Sequence, residues 1–369
     1  MSINKLAGII FANLGDEKLP ELTAHRSLGS IPFGGKYRLI DFSLSNMSNS
    51  GINNIGIITK NHFHSLMDHI GSGRAWDLSK RRSGVTILSP YNDNSFANRI
   101  MAMYQLHGYF EHLKEEYILI SSCECVQNFD YHKFFQYHLK KGADVSIAYQ
   151  KMTIPENETA PFALTIGDDG KITDMLVQFN SGEECNMAIS AVIISKDLLM
   201  SLVKKCVSSN TLDFKQNILQ DNVKKLNMYG YEVTGYCQHI TSIADYYRIN
   251  MSLMSKDVRN ELFNPLRPIY TKVRDDMPSR YGLTSKVTGS LVAQGCKIDG
   301  EVEGSILSNG VTIGKGAVIK NCIIMQDTKI GENCKLSYAI IDKDVVIQAN
   351  RSLMGYETYP IYIAKQTII

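Results

Sequence analysis

The stretch Phe33-Gly34-Gly35-Lys36-Tyr37-Arg38-Leu39-Ile40-Asp41 gathers two glycines, two cations and a carboxylate. Glycine lets a backbone come close to a ligand because no Cβ intervenes. Lys36 and Arg38 offer cations suited to phosphate, and Asp41 is placed to cap a helix that opens there. Composition leaves two readings open: an anion site, or an ordinary loop running into a capped helix. A second set, Glu124 between Cys123 and Cys125, with His239 shortly after Cys237, carries metal-ligating side chains. Its spacings match no zinc pattern, so no metal site is expected there.

Periodicity supplies the elements that must carry these residues. Short β-branched runs at 6–11, 54–59, 117–121, 144–149 and 188–194 read as strands. Between them, 39–50, 97–115, 131–141 and 196–206 carry apolar residues at helical spacing. Strands alternating with crossover helices imply an α/β fold with a mostly parallel, Rossmann-like sheet that binds ligands beyond the carboxyl ends of its strands. Pro265 and Pro268 interrupt the last helical pattern, and Pro278 follows. The expected division is therefore a domain over 1–262, a proline-containing linker over 263–286 and a second domain over 287–369.

In the second domain, aliphatic or small residues recur every six positions: Val311, Ala317 and Ile323, then, after a one-residue slip, Thr328, Cys334, Ile340 and Val346. Another register holds Ile313, Ile319 and Met325, then Ile330 and Leu336. This period predicts a parallel β-helix of hexapeptide repeats with those side chains turned inward. A stacking module of this kind serves assembly more readily than catalysis. An acyltransferase of the hexapeptide type would place a histidine among its coils, and none occurs after Val287.

The chain has 369 residues, 44% of them hydrophobic, enough for two cores. Its 39 basic residues nearly balance 37 acidic ones, and no dense basic run points to nucleic acid or an anionic membrane. No apolar run reaches the roughly 18 residues of a bilayer span. Eight cysteines without a C-x-x-C pair fit reduced thiols and a cytoplasmic location.

The 31–46 block closely resembles the P-F-G-G-K-[YF]-R-[IL]-I-D-F-x-L-S-N segment of the bacterial glucose-1-phosphate adenylyltransferase (ADP-glucose pyrophosphorylase) family. The likeness runs on through Asn49-Ser50-Gly51-Ile52, Asp68-His69-Ile70-Gly71, Trp76-Asp77-Leu78 and Gly84-Val85-Thr86-Ile87-Leu88 to the proline linker and the repeats. The resemblance implies a nucleotidyltransferase domain followed by a left-handed β-helix. It also implies a reaction that joins ATP and glucose 1-phosphate into ADP-glucose and pyrophosphate for glycogen synthesis. In that reaction a sugar phosphate attacks the α-phosphorus in line, so the protein must grip a triphosphate and neutralise charge with Mg²⁺.

This chain departs from the family at those places. The glycine-rich opening loop, G-G-x-G-T-R-L, falls on Asn13-Leu14-Gly15-Asp16-Glu17-Lys18-Leu19, with Lys18 at the arginine. Leu28 stands at the lysine of R-x-K-P, and Glu124 and His239 stand at the two metal-binding aspartates. Phe179 stands at the sugar-phosphate lysine, with Gln178 before it, while Asp213 and Phe214 match the sugar-site D-F. Imidazole is a poor Mg²⁺ ligand, and phenylalanine holds no phosphate. Losing about 3 kcal/mol of transition-state stabilisation at even two such positions slows turnover roughly ten-thousandfold.

Intact scaffold with altered chemistry resembles the GlgD-type regulatory subunit of certain Gram-positive bacteria. That likeness implies a hetero-oligomer, a tetramer, with a catalytic homologue that carries the Mg²⁺, and no cofactor on this chain. A homo-oligomer when alone and a phosphorylated sugar or nucleotide effector, with Lys36 and Arg38 as its ligands, are further expectations. The alternative is an adenylyltransferase active in its own right.

Overall fold

A computed structural model of the chain describes residues 3–60, 62–80, 83–89, 98–153, 162–177, 182 and 184–369. It resolves into two compact units that interleave in sequence. The first comprises residues 1–14 and 42–237, and the second 15–41 and 238–369.

The first unit is built on a sheet whose centre is parallel. Strands β1 (Leu6–Phe11), β2 (Ile55–Ile58), β3 (Ser83–Leu88) and β4 (Tyr117–Ser122) lie in the order β4-β1-β2-β3. β1 and β4 run in register from Leu6 opposite Tyr117 to Phe11 opposite Ser122. Every residue of β1 is buried, as a strand covered on both faces requires. The chain steps outward from β1 to β3, then returns to the other side of β1 as β4. The switch point therefore lies between the ends of β1 and β4, at Phe11 and Ser122. Beyond β4 the sheet turns antiparallel through β5 (Val145–Thr153), β6 (Ala163–Ile166), β7 (Ile172–Leu176) and β8 (Glu184–Ser195), with β9 (Met228–Glu232) parallel to β5.

The helix over 131–141 forms as expected, started by Asp130, whose carboxylate accepts the His132 and Lys133 N–H groups, and ended by left-handed Gly142. The single helix expected over 97–115 is instead two, α1 (Arg99–Gln105) and α2 (His107–His112), parted at Leu106. Asn98 caps the first by accepting the Met101 N–H at 2.9 Å.

In the second unit, three sheets of five short parallel strands each stack into coils, the architecture of a left-handed β-helix. One inward row is Ile298, Ile313, Ile330 and Ile347, each opposite the next. A second is Val302, Ile319, Leu336 and Leu353. Corners are turned in left-handed backbone at Asn321, Asp327, Asn333, Asp344 and Asn350, residues whose short polar side chains tolerate it. Both expected registers are buried except at Val346. There the strand pairs Val346 with exposed Lys329, so its inward neighbours are Val345 and Ile347. Ile323, Met325 and Ile340 do not pack into the coil interior as expected; Cys322, Ile324, Ala339 and Ile341 hold those inward places, because alternate strand residues point to opposite faces.

The proline segment is strapped down. Arg274 holds Asp327 through both terminal nitrogens at 3.0 Å, and Asp276 accepts from Asn309 at 2.9 Å.

Candidate functional site

In the first unit, chemistry gathers at the carboxyl ends of β1 and β4. Glu124 follows β4, and its Oε2 accepts from Ser190 Oγ at 3.3 Å. Phe11 closes β1. Asp213 and Phe214 open a short helical segment, Phe214–Leu219, in which Asp213 Oδ1 caps the Gln216 N–H at 2.8 Å. Asp213 thus has a structural task beside any sugar contact.

The residue that ties these together is Arg99, which the sequence reading passed over. Its guanidinium carbon lies 5.7 Å from the ring centre of Phe11 and 5.4 Å from that of Phe214. Burial pushes its pKa down, and the charges of Glu124 and Asp213 oppose that shift. One signal was present: an arginine at the first position after a capping asparagine sits where the helix dipole disfavours a cation, so something other than helix stability keeps it there.

Magnesium does not fit this donor set. At the family's first metal position, in the first unit, Glu124 accepts from Ser122 and Ser190 at one oxygen, Oε2, and its charge acts on Arg99; the family's second metal position, in the second unit, holds an imidazole, His239. Within the first unit the Cys125 and Cys237 sulfurs lie within 4.8 Å of each other, and the Cys237 thiol donates to Gln127 Oε1 at 3.2 Å. Two thiols fall short of the four ligands of a structural zinc site.

The remaining expected residues belong to the second unit, apart from Phe179, which lies outside the described residues along with Gln178. Gly34 and Gly35 turn a hairpin between Pro32–Phe33 and Tyr37–Arg38 at φ 58° and 84°. A Cβ on Gly34 would meet Leu253 at 2.9 Å, and one on Gly35 would meet the Leu307 carbonyl oxygen at 3.5 Å. The close approach expected toward a ligand is thus an approach to this unit's own helix and coil. Asp41 is buried and does not cap its helix from the first position as expected. It sits inside Leu39–Asn49 and reaches back to accept the Arg38 N–H at 2.9 Å. Lys36 is exposed and lies over its neighbour Tyr37, 5.0 Å from the ring centre.

The opening loop has become a structure of its own. Asp16–Lys18 forms a 3₁₀ turn, with Lys18 exposed on it. Asp16 Oδ1 accepts the Leu28 N–H at 2.8 Å, and the Leu28 side chain is 1% exposed.

A cluster of cations occupies the same unit. Arg26 donates from one terminal nitrogen to Asp342 Oδ1 at 2.8 Å and Oδ2 at 2.9 Å, with both side chains buried, and Tyr362 also donates to Oδ2 at 2.8 Å. Lys343 follows Asp342. Burial, with Arg38 and Arg26 nearby, lowers its pKa to about 7; Asp342 opposes the shift and Lys365 adds to it.

A doubly covered sheet whose chemistry sits at its switch point, joined to stacked hexapeptide coils, defines a nucleotidyltransferase with a β-helix domain. Residues 8–176 match the nucleotidyl transferase family, and residues 274–358 match the GlmU-like C-terminal hexapeptide family. The chain is similar over 356 residues, 93% of each chain, to the glucose-1-phosphate adenylyltransferases of Bacillus mycoides (strain KBAB4), at 32% identity, and Bacillus cereus (strain ATCC 10987 / NRS 248), at 33%. The Bacillus anthracis enzyme of the same name is likewise 33% identical. The chain belongs to the glucose-1-phosphate adenylyltransferase family. Among the described residues, no helix is long and apolar enough to cross a membrane.

Proposed function

We propose that this chain is a regulatory subunit of glucose-1-phosphate adenylyltransferase, with little or no turnover of its own, that works in the cytoplasm with a catalytic homologue. The observation that carries this reading is the Asp16–Leu28 contact. At a position where the family presents glycine to phosphate, a carboxylate binds the chain's own backbone. At a position where the family presents lysine, a leucine is packed into the core. A loop whose side chain is tied to the chain's own backbone replaces the glycine that would let phosphate come close, and the added carboxylate repels a triphosphate.

The cations at Lys343, Arg38 and Arg26 support an effector role. A partly buried ammonium crowded by other cations is relieved by an anion, and a phosphorylated sugar or nucleotide supplies one. Mg²⁺ would then reside on the catalytic partner, in a hetero-oligomer built through the coils.

The test is ADP-glucose formation by the purified chain, alone and mixed with a catalytic homologue. Alone, turnover is expected roughly ten-thousandfold or more below that of the homologue. In the mixture, the homologue's rate or its response to sugar phosphates should change. Rapid synthesis by the isolated chain would overturn the proposal.

A further inference from the structure

The first unit brings two buried thiols together from distant parts of its sequence. Cys125 lies just beyond β4, beside Glu124, and Cys237 is the last residue of the unit. Each is 2% exposed, and the two sulfurs lie within 4.8 Å of each other. A disulfide needs them at about 2.05 Å. Rotation about χ1 from one staggered position to another is the scale of movement that closes such a gap.

The way Cys237 is held sets this pair apart from the thiols of the coils. There Cys296, Cys322 and Cys334 donate to the main-chain carbonyls of Ser308, Lys320 and Gln348 at 3.2, 3.1 and 3.0 Å. A carbonyl fixed in the coil backbone keeps the S–H in place, and burial pushes the Cys322 thiol up to about 12, away from the reactive thiolate. Cys237 donates instead to a side chain, Gln127 Oε1, at 3.2 Å. The Gln127 side chain also hydrogen-bonds the buried Tyr131 hydroxyl, so it keeps a partner when Cys237 turns away. The cost of releasing that thiol is correspondingly small.

We propose that Cys125 and Cys237 are a redox couple, a dithiol that hydrogen peroxide closes to a disulfide within the first unit. One thiolate attacks the peroxide; an S–O bond forms, the O–O bond breaks, and the departing hydroxide takes up a proton as water. The other sulfur then attacks the sulfenic acid; the S–S bond forms, the S–O bond breaks, and a second water leaves. The two thiols give up two electrons and two protons, and the peroxide takes both. An uncharged oxidant of this size reaches buried sulfurs through brief local opening. Closure draws the Cys125–Gln127 strand toward Cys237 and carries the adjoining Glu124 with it. It also closes a loop of roughly a hundred residues, which constrains the unfolded chain and tightens the unit. The couple uses neither a partner nor an effector, so it does not rest on the regulatory reading.

The experiment exposes the folded, full-length chain to hydrogen peroxide, blocks the remaining thiols and maps the non-reduced digest by mass spectrometry. The expected product is a pair of peptides joined through Cys125 and Cys237 and parted by dithiothreitol. A thiol count taken in urea should fall by two from the eight of the untreated chain. The urea midpoint of the oxidised chain should rise, and dithiothreitol should return it to its starting value. Cys237→Ser should form no link, whereas Cys123→Ser, which removes a buried neighbour of the pair, should still form it. If Cys237→Ser melts early, the linked peptide and the thiol count of the wild-type chain decide. A link between other cysteines, sulfinic acid at Cys125 or Cys237 in place of a link, closure only in denaturant, a lowered urea midpoint, or an unchanged thiol count would each overturn the proposal.

Discussion

In the coils, Ile298, Ile313, Ile330 and Ile347 answer one another in a row, and each sees the surroundings of the next. At the crest of the parallel strands, Phe11, Arg99, Glu124 and Asp213 each meet a different charge and a different surface. The contrast shows where change is tolerated. An inward coil position demands only apolar volume, so a repeat survives as long as that volume is kept. A polar crest position such as Glu124 carries a chemical role with less packing than a core residue like Phe11, so its role can be exchanged while the fold stays intact. The family likeness in scaffold and the divergence in chemistry both follow.

Substitutions break or sharpen that contrast. The largest effect belongs to a coil row. Ile330→Asp buries a carboxylate among Ile313 and Ile347 and should cost more than about 4 kcal/mol, read as loss of the cooperative urea transition of the second unit. A crest change such as Glu124→Gln should stay within about 0.5 kcal/mol in the same assay.

The Arg26–Asp342 pair lies between these extremes, because it is ionic yet buried like a core contact. Arg26→Met leaves Asp342 charged and unpaired, at an expected cost of about 3 kcal/mol. Arg26→Met combined with Asp342→Leu should recover most of it, and a double-mutant cycle measures the coupling.

Lys343 is read through pH instead of through packing. Its pKa is about 7 in the folded chain against 10.5 ordinarily, so folding releases a proton between those values. Stability should therefore rise with pH from about 7 to 10.5, where the unfolded chain binds the extra proton and the folded chain does not. Below about pH 7 both states carry the charge, and its burial counts fully against the fold. Lys343→Met should flatten that rise and lift the neutral-pH melting temperature by about 2–4 °C. Added phosphate should stabilise the wild type more at pH 6 than at pH 9.

Much of the architecture was legible because periodicity depends on local physics. The six-residue rows, β1 and the helix over 131–141 emerged with nearly the expected limits. The break at Leu106 was hidden because apolar spacing continues through it. The return to Val345 was hidden because Val346 is equally aliphatic. The crest was harder, because the interactions that define it join residues remote in sequence. Phe11, Arg99 and Phe214 carry no shared spacing, and only the awkward place of an arginine at a helix start pointed to one of them. Asp41 shows the reverse case. A carboxylate near a helix start was correctly tied to that start, but which N–H it would reach depended on where the hairpin delivered the chain.

The interleaving of the second unit governs how the polypeptide can be made. Arg26 leaves the ribosome 316 residues before Asp342, the carboxylate it must meet. At a synthesis rate of about 5–20 residues per second, that wait lasts tens of seconds. Throughout it, the nascent 15–41 segment has no coil to rest on, so its apolar residues need shelter from another source, and chaperone engagement early in translation is the natural one.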